Sequence, residues 1–301
     1  MFLDTISGQE LWDWRQRAMV QATGAQVDAV EVDWLLQGLC QVDSLSLRLG
    51  TLANQSHIST KCSLKHLERL WQQRVEDRVP IQHLVGQTSW RNFRLQVSAS
   101  VLIPRPETEL MIDLVRVAVN QSSDCDRLRR GTWVDLGTGS GAIALSLAET
   151  LPEANIIAVD ISTEALAIAQ QNAVENGLGD RIQFLQGSWF EPLENSQGQL
   201  AGVVSNPPYI PSAIVPTLQP EVANHEPHLA LDGGEDGLAC VRHLIEAGSQ
   251  FLQPGGGWFV ELMLGQAPAV MELLAQTGCY EAIQTHQDLA GVGRFVSAQK
   301  P

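Results

Sequence analysis

The sequence has no long apolar run and no closely spaced pair of cysteines. No stretch approaches the roughly 18 apolar residues of a membrane-spanning helix. The start, MFLDTISGQELWDW, has no basic segment followed by an apolar one, so no signal peptide is indicated. These absences favour a cytoplasmic protein. The five cysteines are odd in number and form no C-x-x-C, which predicts buried thiols rather than disulfides or a zinc site: Cys40, Cys62, Cys125, Cys240 and Cys279.

Basic residues are also scarce. The chain of 301 residues has 19 Lys and Arg against 34 Asp and Glu, a formal net charge of −15. This balance argues against a protein that works by gripping phosphate backbones. It fits a basic partner, although solubility alone explains the same charge. A hydrophobic content of 44% supports a buried core in one large domain or two smaller ones.

Local patterns divide the chain into three parts. Up to about residue 78 the patterns are helical, beginning with SGQELWDWRQRAMVQAT, where Ser7 is a suitable N-terminal cap. After Pro80 apolar residues alternate between Trp90 and Val97, as in a half-buried hairpin. We therefore predict a helical bundle over residues 1–79, a β-hairpin linker over 80–108 and an α/β domain over 109–301.

The third part alternates short apolar runs with helical patterns. Its predicted strands are TWVDLG, NIIAVD, RIQFLQ, LAGVVSN, GGWFVELM and GRFVSAQ. Helices are predicted over GAIALSLAET and over a segment that begins near Ser162 and ends at Gly177. This alternation predicts an α/β fold with a doubly wound, mostly parallel sheet.

A glycine-rich turn follows the first of these strands. In VDLGTGSGAIALSLA, Asp135 precedes a loop that runs directly into a helix, and the next strand ends in Asp160. The pattern G-x-G-x-G differs from the dinucleotide fingerprint, and the carboxylate of Asp135 would repel a pyrophosphate. S-adenosylmethionine, which has an ammonium and a sulfonium group, fits better, while a turn that only packs helix on strand is the alternative. The candidate cofactor loop is Gly137, Thr138, Gly139, Ser140 and Gly141.

A second chemical element, Asn206-Pro207-Pro208-Tyr209, ends the strand LAGVVS. The two prolines hold the chain extended and stiff. The Asn206 side-chain oxygen and the Pro207 carbonyl could accept both N–H groups of a planar NH₂ and stabilise the charge that develops when its nitrogen attacks. Tyr209 offers a flat face to a planar amide or base. A surface turn is the alternative reading of this tetrapeptide.

The motifs taken together resemble the PrmC/HemK family. The resemblance covers nearly the whole chain from Pro80 onward and rests, in order, on VLIPRPETE, VDLGTGSGAIALSLA, AVDIS, GSWFEPL, VSNPPYIP, HEPHLALDGGEDGL and DLAGVGRFV. Enzymes of this family methylate the side-chain nitrogen of the glutamine in the Gly-Gly-Gln motif of peptide-chain release factors. The resemblance thus implies a class I S-adenosylmethionine-dependent methyltransferase domain.

The same resemblance implies roles for single residues. The loop from Gly137 to Gly141 would wrap the methionine part of S-adenosylmethionine, with Asp160 on the ribose and Trp189 beside the adenine. Asn206 and the Pro207 carbonyl would hold the substrate amide, with Tyr209 alongside and Pro208 also in the substrate site. Asp135 and Asn206 are counted among the cofactor-binding residues as well. The stretch IPRPETE, with Arg105, Glu107 and Thr108, would close over the cofactor, and the helical bundle would help to bind the release factor.

Two positions depart from the family pattern. His83 stands where tyrosine is frequent, and Ser188 stands where an acid is frequent. Neither belongs to the transfer centre, so the expected chemistry is unchanged. Contact with the adenine amino group would be weaker at Ser188 or would come from the backbone.

Other functions compete with this one. A nucleic-acid adenine methyltransferase would use the same Asn-Pro-Pro-Tyr element with a flipped base, but the net charge of −15 and the lack of a basic segment argue against it. A non-catalytic nucleotide-binding module would not need Asn206. A metal site at His225, Glu226 and His228 is disfavoured by the intervening Pro227. Glu261 and Arg294 are interpreted as structural ion partners, and no membrane or nucleic-acid partner is expected.

Overall fold

The structure, a computed structural model, describes residues 4–301. Residues 1–3, which open the predicted helical bundle, lie outside the described residues. The described chain forms, in order, β1 (Asp4–Ile6), α1 (Gly8–Gly24), α2 (Val30–Leu39), α3 (Ser44–Leu49), β2 (Ile58–Thr60), α4 (Leu64–Glu76), α5 (Ile81–Val85), β3 (Gln87–Trp90), β4 (Phe93–Gln96), α6 (Glu109–Gln121), α7 (Cys125–Arg130), β5 (Thr132–Leu136), α8 (Ala142–Thr150), β6 (Asn155–Asp160), α9 (Thr163–Glu175), β7 (Ile182–Gln186), β8 (Leu200–Ser205), α10 (Pro220–Ala223), α11 (Ala239–Phe251), β9 (Leu252–Glu261), α12 (Ala267–Thr277), β10 (Glu281–Gln287) and β11 (Gly293–Gln299).

The chain folds into two compact units. Of the described residues, the first unit comprises 4–87 and 219–225, and the second comprises 88–218 and 226–301. The sequence prediction divided the chain at residue 80 instead. The structure places the short helix α5 directly after Pro80, which acts as its N-cap, so the hairpin of β3 and β4 starts only at Gln87.

The first unit is a helical bundle with a small two-stranded sheet of β1 and β2. Ser7 caps α1 as predicted. Its hydroxyl accepts a hydrogen bond from the backbone N–H of Glu10, whose carboxylate accepts the Ser7 N–H in return, which makes a capping box. The buried face of α1 includes Leu11, Trp14 and Ala18 at helical spacing, and this face packs into the core of the bundle.

Ion pairs connect the segment 219–225 with the helical bundle. Glu221, in α10, forms ion pairs with Arg74 at 2.9 Å and with Arg78 at 2.6 Å. Arg74 is buried and also pairs with Glu31. A buried guanidinium must be paired to offset its desolvation, so the two carboxylates together make this position of the segment specific.

The second unit contains a seven-stranded sheet in the order β10-β11-β9-β8-β5-β6-β7. The strands from β9 to β7 in this order are parallel, while β11 is antiparallel to both β9 and β10. The predicted mostly parallel, doubly wound fold is thus confirmed. Ser162 caps α9 by accepting from the Ala165 N–H, and Gly177 follows the helix with φ +73°, both as predicted.

Both faces of the sheet are covered, which explains the apolar runs of its strands. Trp133 and Ala158 belong to one core, together with buried residues of α6 and α8. Val134 and Val203 belong to the other core, together with buried residues of α11 and α12. Each large side chain buried in this way contributes about 1.5–3 kcal/mol to folding. Within residues 4–301, no helix is both long and apolar enough to cross a membrane.

The strand order of the sheet reverses at β5, and this point determines where a ligand site is expected. β5 pairs with β6 on one side and with β8 on the other, in a register that puts Leu136 opposite both Val159 and Ser205. Open parallel sheets bind ligands at such a switch point, beyond the carboxyl ends of the strands. The glycine loop and Asn206 therefore begin at neighbouring positions of this edge.

Candidate active site

The loop after β5 adopts the backbone that its glycines allow. Gly137 and Gly139 have φ of +75° and +54°, a region that other residues enter only with strain. Gly141, with φ +85°, is the N-cap residue of α8, and a Cβ there would lie 3.1 Å from the Cβ of Ala169. The first two glycines shape the loop, whereas Gly141 lets α8 and α9 pack closely.

Asp135 lies beneath this loop and is fully buried. Its Oδ2 accepts hydrogen bonds from the Thr138 hydroxyl at 2.6 Å and from the Ala144 N–H at 3.0 Å. Its Oδ1 is buried and has no hydrogen-bond partner among the described residues. Burial raises the pKa of this carboxyl to about 7, although the two hydrogen bonds act in the opposite direction.

Asp160 stands at the end of β6, beside the loop. Its Oδ2 accepts the Gly139 N–H at 2.8 Å, and its Oδ1 accepts the Ser162 N–H at 2.9 Å. Burial raises the pKa of this carboxyl, against the effect of both bonds. Each oxygen of a carboxylate has a second lone pair, so a diol that entered the cavity could still donate to Asp160.

Trp189 lies over the other side of the loop. A Cβ added to Gly137 would contact the Trp189 ring at 3.7 Å. Trp189 itself has φ +51°, a strained conformation for a bulky residue that costs on the order of 1–3 kcal/mol. Strain of this kind concentrates at ligand-binding sites, and it is a signal that the sequence does not display.

The structure brings the Asn-Pro-Pro-Tyr element to the same edge. Asn206 follows β8 directly, and the hydroxyl of Ser205 donates to the Leu136 carbonyl at 2.6 Å, which ties the two strand ends together. The stretch HEPHLALDGGEDGL supports this element from behind. Ile210 forms a parallel bridge with Asp232, and the Ile210 carbonyl accepts the Gly233 N–H at 2.9 Å.

Close backbone approach explains the glycines of that stretch. A Cβ on Gly233 would lie 2.8 Å from both the Pro208 carbonyl oxygen and the Tyr209 Cα, a distance that real Cβ atoms do not show. The side chain of Gln266 donates to the Tyr209 carbonyl at 2.9 Å. Sequence reasoning did not identify Gln266, because nothing in the local pattern connects α12 with this element.

A buried carboxylate connects three of these residues. Glu261, the last residue of β9, is only 1% exposed. Its Oε2 accepts the hydroxyl of Thr108 at 2.6 Å, and its Oε1 accepts the hydroxyl of Tyr209 at 3.2 Å. The Asn206 Nδ2 in turn donates to the Thr108 Oγ1 at 3.3 Å.

The interpretation of Glu261 and Arg294 as ion partners needs correction. The direct ion pair of Arg294 is with Asp288, at 2.8 Å. Glu261 is instead held by the two hydroxyls, and Arg294 acts on it only through its charge. Glycine and proline patterns in the sequence identified the loops of the site. The carboxylate of Glu261 lies at a strand end without a glycine or proline pattern beside it.

The stretch IPRPETE also contributes to the site. The Trp90 Nε1 donates to the Arg105 carbonyl at 3.1 Å, and the Arg105 side chain donates to Glu226 at 2.6 Å. Glu226 is buried, and its pKa is raised by burial against the effect of Arg105. Arg105 and Thr108 line the central cavity, while Glu107 is exposed.

That cavity has a volume of about 300 Å³, within the usual range of roughly 300–1,000 Å³ for small-molecule sites. Tyr209, Pro207, Gly141 and Asp135 lie outside its lining. Eight of the predicted site residues line it: Gly137, Thr138, Gly139, Ser140, Asp160, Trp189, Asn206 and Pro208.

The residues fit S-adenosylmethionine. Its amino-acid part carries an ammonium group, and the unpartnered Oδ1 of Asp135 is a buried acceptor beneath the loop that would favour that group. Trp189 supplies an aromatic face in the cavity, and Asp160 supplies acceptors for hydroxyl groups. The roles assigned to single residues stay predictions.

The histidines of HEPH lie in different surroundings. The His225 ring is 2.7 Å from the Asp77 carbonyl oxygen in the first unit, whereas Glu226 pairs with Arg105 in the second. Among residues 4–301, no group of three or more His, Cys, Asp and Glu side chains is arranged to hold a metal ion.

Comparison with known proteins places the chain in a family. Residues 117–218 match the model of the methyltransferase small domain. The chain is 52% identical to the release factor glutamine methyltransferase of Synechocystis sp., over 98% of this chain and 97% of that one. It is 44% identical to that of Thermosynechococcus vestitus, over 98% of this chain and 100% of the other.

A solved structure shares the fold at low identity. The hMettl16 catalytic domain, crystallised in complex with the MAT2A 3′UTR hairpin 6, superposes with a TM-score of 0.54 at 13% identity, and 88% of each chain is covered. This likeness concerns the fold alone. The identities above 40% over nearly the full length carry the assignment: the chain belongs to the family of release factor glutamine methyltransferases.

Proposed function

We propose that this protein transfers a methyl group from S-adenosylmethionine to the side-chain amide nitrogen of the glutamine in the Gly-Gly-Gln motif of peptide-chain release factors. One observation carries the proposal. Asn206-Pro207-Pro208-Tyr209 lies at the end of β8, next to the glycine loop that follows β5, at the point where the strand order reverses. Relatives at 52% and 44% identity bear the name of this activity.

S-adenosylmethionine, when bound, supplies an electrophilic methyl group on its sulfonium. The acceptor amide is a weak nucleophile because its lone pair is delocalised into the carbonyl. The Asn206 Oδ1 and the Pro207 carbonyl would each accept one N–H of this amide. Two fixed acceptors orient the nitrogen and stabilise the positive charge that develops on it. The methylated nitrogen is acidic and loses its proton readily, so no strong base is required.

The rigidity of the element supports this role. The prolines fix their own φ, and the bridge at Ile210 and the hydrogen bond from Gln266 hold the following backbone. Acceptors that are already in place need no reorganisation in the transition state, which is the condition under which they contribute most.

The helical bundle is proposed to help bind the release factor. It exposes large apolar side chains, among them Trp34, Leu45 and Leu49, which are 47%, 63% and 66% exposed. Such side chains suit a protein partner. The net charge of −15 favours a partner that is basic where it contacts RNA. We infer a cytoplasmic location, since release factors act at the ribosome.

The test uses the purified full chain with labelled S-adenosylmethionine and two acceptors, an unmodified release factor and an adenine-containing duplex. We expect label on the release factor, and none on the same factor with its Gly-Gly-Gln glutamine replaced. Label on the duplex alone would overturn the proposal in favour of an adenine methyltransferase.

The matched variant is Asn206→Ala. Loss of one transition-state acceptor is expected to lower kcat by about 10²–10³, while calorimetry shows that the cofactor still binds. Normal turnover in this variant would contradict the mechanism.

A further inference from the structure

Two hydrogen bonds connect a buried carboxylate with Asn206, the proposed acceptor, and a third connects it with Tyr209. Glu261 accepts the Thr108 hydroxyl at 2.6 Å, and Thr108 accepts the Asn206 amide N–H at 3.3 Å. The same carboxylate accepts the Tyr209 hydroxyl at 3.2 Å. Thr108 and Asn206 line the cavity, whereas Glu261 lies outside its lining and is 1% exposed. Glu261 thus reaches the site only through its partners.

The donor and acceptor roles in this chain are not interchangeable. A threonine hydroxyl has a single hydrogen and two lone pairs. Because Thr108 gives its hydrogen to the carboxylate of Glu261, only lone pairs are left for Asn206. The Asn206 side chain must therefore present its NH₂ to Thr108. Its other polar atom, Oδ1, is then the one left for the substrate.

The orientation of this amide decides whether the site can work. With Oδ1 toward the substrate, Asn206 accepts a substrate N–H. With the amide turned by half a revolution, it would present an NH₂ to another NH₂, and no hydrogen bond could form. Nothing in an isolated asparagine distinguishes the two orientations strongly, since oxygen and nitrogen have nearly the same size.

The charged surroundings of Glu261 favour its role as acceptor. Arg294 lies close enough for its positive charge to stabilise the carboxylate, while Glu107 acts against it. Burial is the largest influence and raises the pKa of Glu261. The two hydroxyl donors and Arg294 offset part of this effect, so the ionised form has partners for both oxygens.

We propose that Glu261 is a positioning residue for methyl transfer, which acts through Thr108 to hold the Asn206 amide with its oxygen toward the substrate. The proposal rests on the function inferred above and adds a residue that lies outside the cavity lining. Tyr209 shares the carboxylate, so the same group also fixes the ring that follows the two prolines.

The decisive variant is Glu261→Gln, which keeps shape and volume. The glutamine NH₂ can donate to Thr108, and the Thr108 hydrogen is then free to donate to the Asn206 oxygen, which reverses the amide. We expect kcat to fall by about 10–10³, the scale of losing one fixed transition-state hydrogen bond. The KM for the release factor and the Kd for S-adenosylmethionine, measured by calorimetry, are expected to change by less than about threefold.

A pair of variants at Thr108 separates positioning from packing. Thr108→Val keeps the shape but removes the acceptor for Asn206, so kcat falls as in Glu261→Gln. Thr108→Ser keeps the hydroxyl and restores turnover to within about threefold of the wild type. A packing role would give the opposite order, because valine fills the space of threonine and serine leaves a gap.

Thermal unfolding of each variant shows whether it folds. If Glu261→Gln does not fold, the two Thr108 variants test the proposal. Wild-type kcat in Glu261→Gln, or turnover in Thr108→Ser as low as in Thr108→Val, would overturn the proposal. A rise in KM without loss of kcat would do the same. Absence of release factor methylation by the wild type would instead refute the proposed function itself.

Discussion

Cofactor binding near neutral pH should change the protonation of the buried carboxyl of Asp135. Asp135 is fully buried beneath the glycine loop, and burial raises its pKa to about 7. At pH 7 about half of the free protein therefore carries a proton at this carboxyl. The ammonium group of S-adenosylmethionine favours the ionised form of this carboxyl, so binding is expected to release that proton.

The expected amount follows from the size of the shift. An opposite charge within about 4–6 Å lowers a carboxyl pKa by 1–3 units. A decrease of two units would release about half a proton per cofactor at pH 7, more near pH 6, and almost none at pH 8.5. Cofactor affinity should rise with pH below 7 and level off above it, because the bound state holds fewer protons.

Calorimetry in buffers of different ionisation enthalpy measures the protons released. The matched control is Asp135→Asn, which cannot titrate, so the difference between the two proteins at one pH isolates this carboxyl from the amino group of the cofactor. A wild type that releases no more protons at pH 7 than Asp135→Asn would refute the account of Asp135.

Further predictions concern stability, backbone and pH. Because its pKa is raised, Asp135 binds more proton in the folded than in the unfolded chain. Its contribution to the free energy of unfolding should therefore fall between about pH 4 and 7, by on the order of 4 kcal/mol, and denaturant titration of Asp135→Asn should lack this fall. Gly233→Ala should lower kcat, because its Cβ would lie 2.8 Å from the Pro208 carbonyl. The control Gly24→Ala, with no atom within 4 Å of the added Cβ, should leave kcat unchanged. A protonated Glu261 would donate a hydrogen bond where the ionised form accepts one. The kcat should therefore fall as pH is lowered, with an apparent pKa above that of an ordinary glutamate. The Glu261→Gln variant should not show this pH dependence.

The elements of the second unit were largely predictable from the sequence. The buried parallel strands β5, β6 and β8 appear as continuous apolar runs because both faces of the sheet are covered. The strand β10 was not predicted. Its side chains are almost all exposed, and EAIQTHQ has neither the apolar run nor the regular alternation of a buried strand.

Long-range pairing accounts for what the sequence did not reveal. The segment 219–225 belongs to the helical unit through Glu221 and its ion pairs with Arg74 and Arg78, partners more than a hundred positions away in the chain. Local periodicity cannot show such a pairing.

The candidate site divides in the same way. The glycine loop and Asn206 can be recognised in the sequence by their residue types and by their positions at strand ends. Glu261 and Gln266 do not, since each acts through a hydrogen bond to a distant segment. The strained backbone of Trp189 likewise depends on tertiary packing, whereas its aromatic character was visible from the start.

The most direct measurement is mass spectrometry of a release factor after incubation with the protein and S-adenosylmethionine. The peptide that contains Gly-Gly-Gln is fragmented to locate the added group. We predict one methyl group on the glutamine side chain with the wild type and essentially none with Asn206→Ala at equal time. A methyl group on another residue, or equal methylation of this glutamine by Asn206→Ala, would contradict the central claim that Asn206 holds the glutamine amide for transfer.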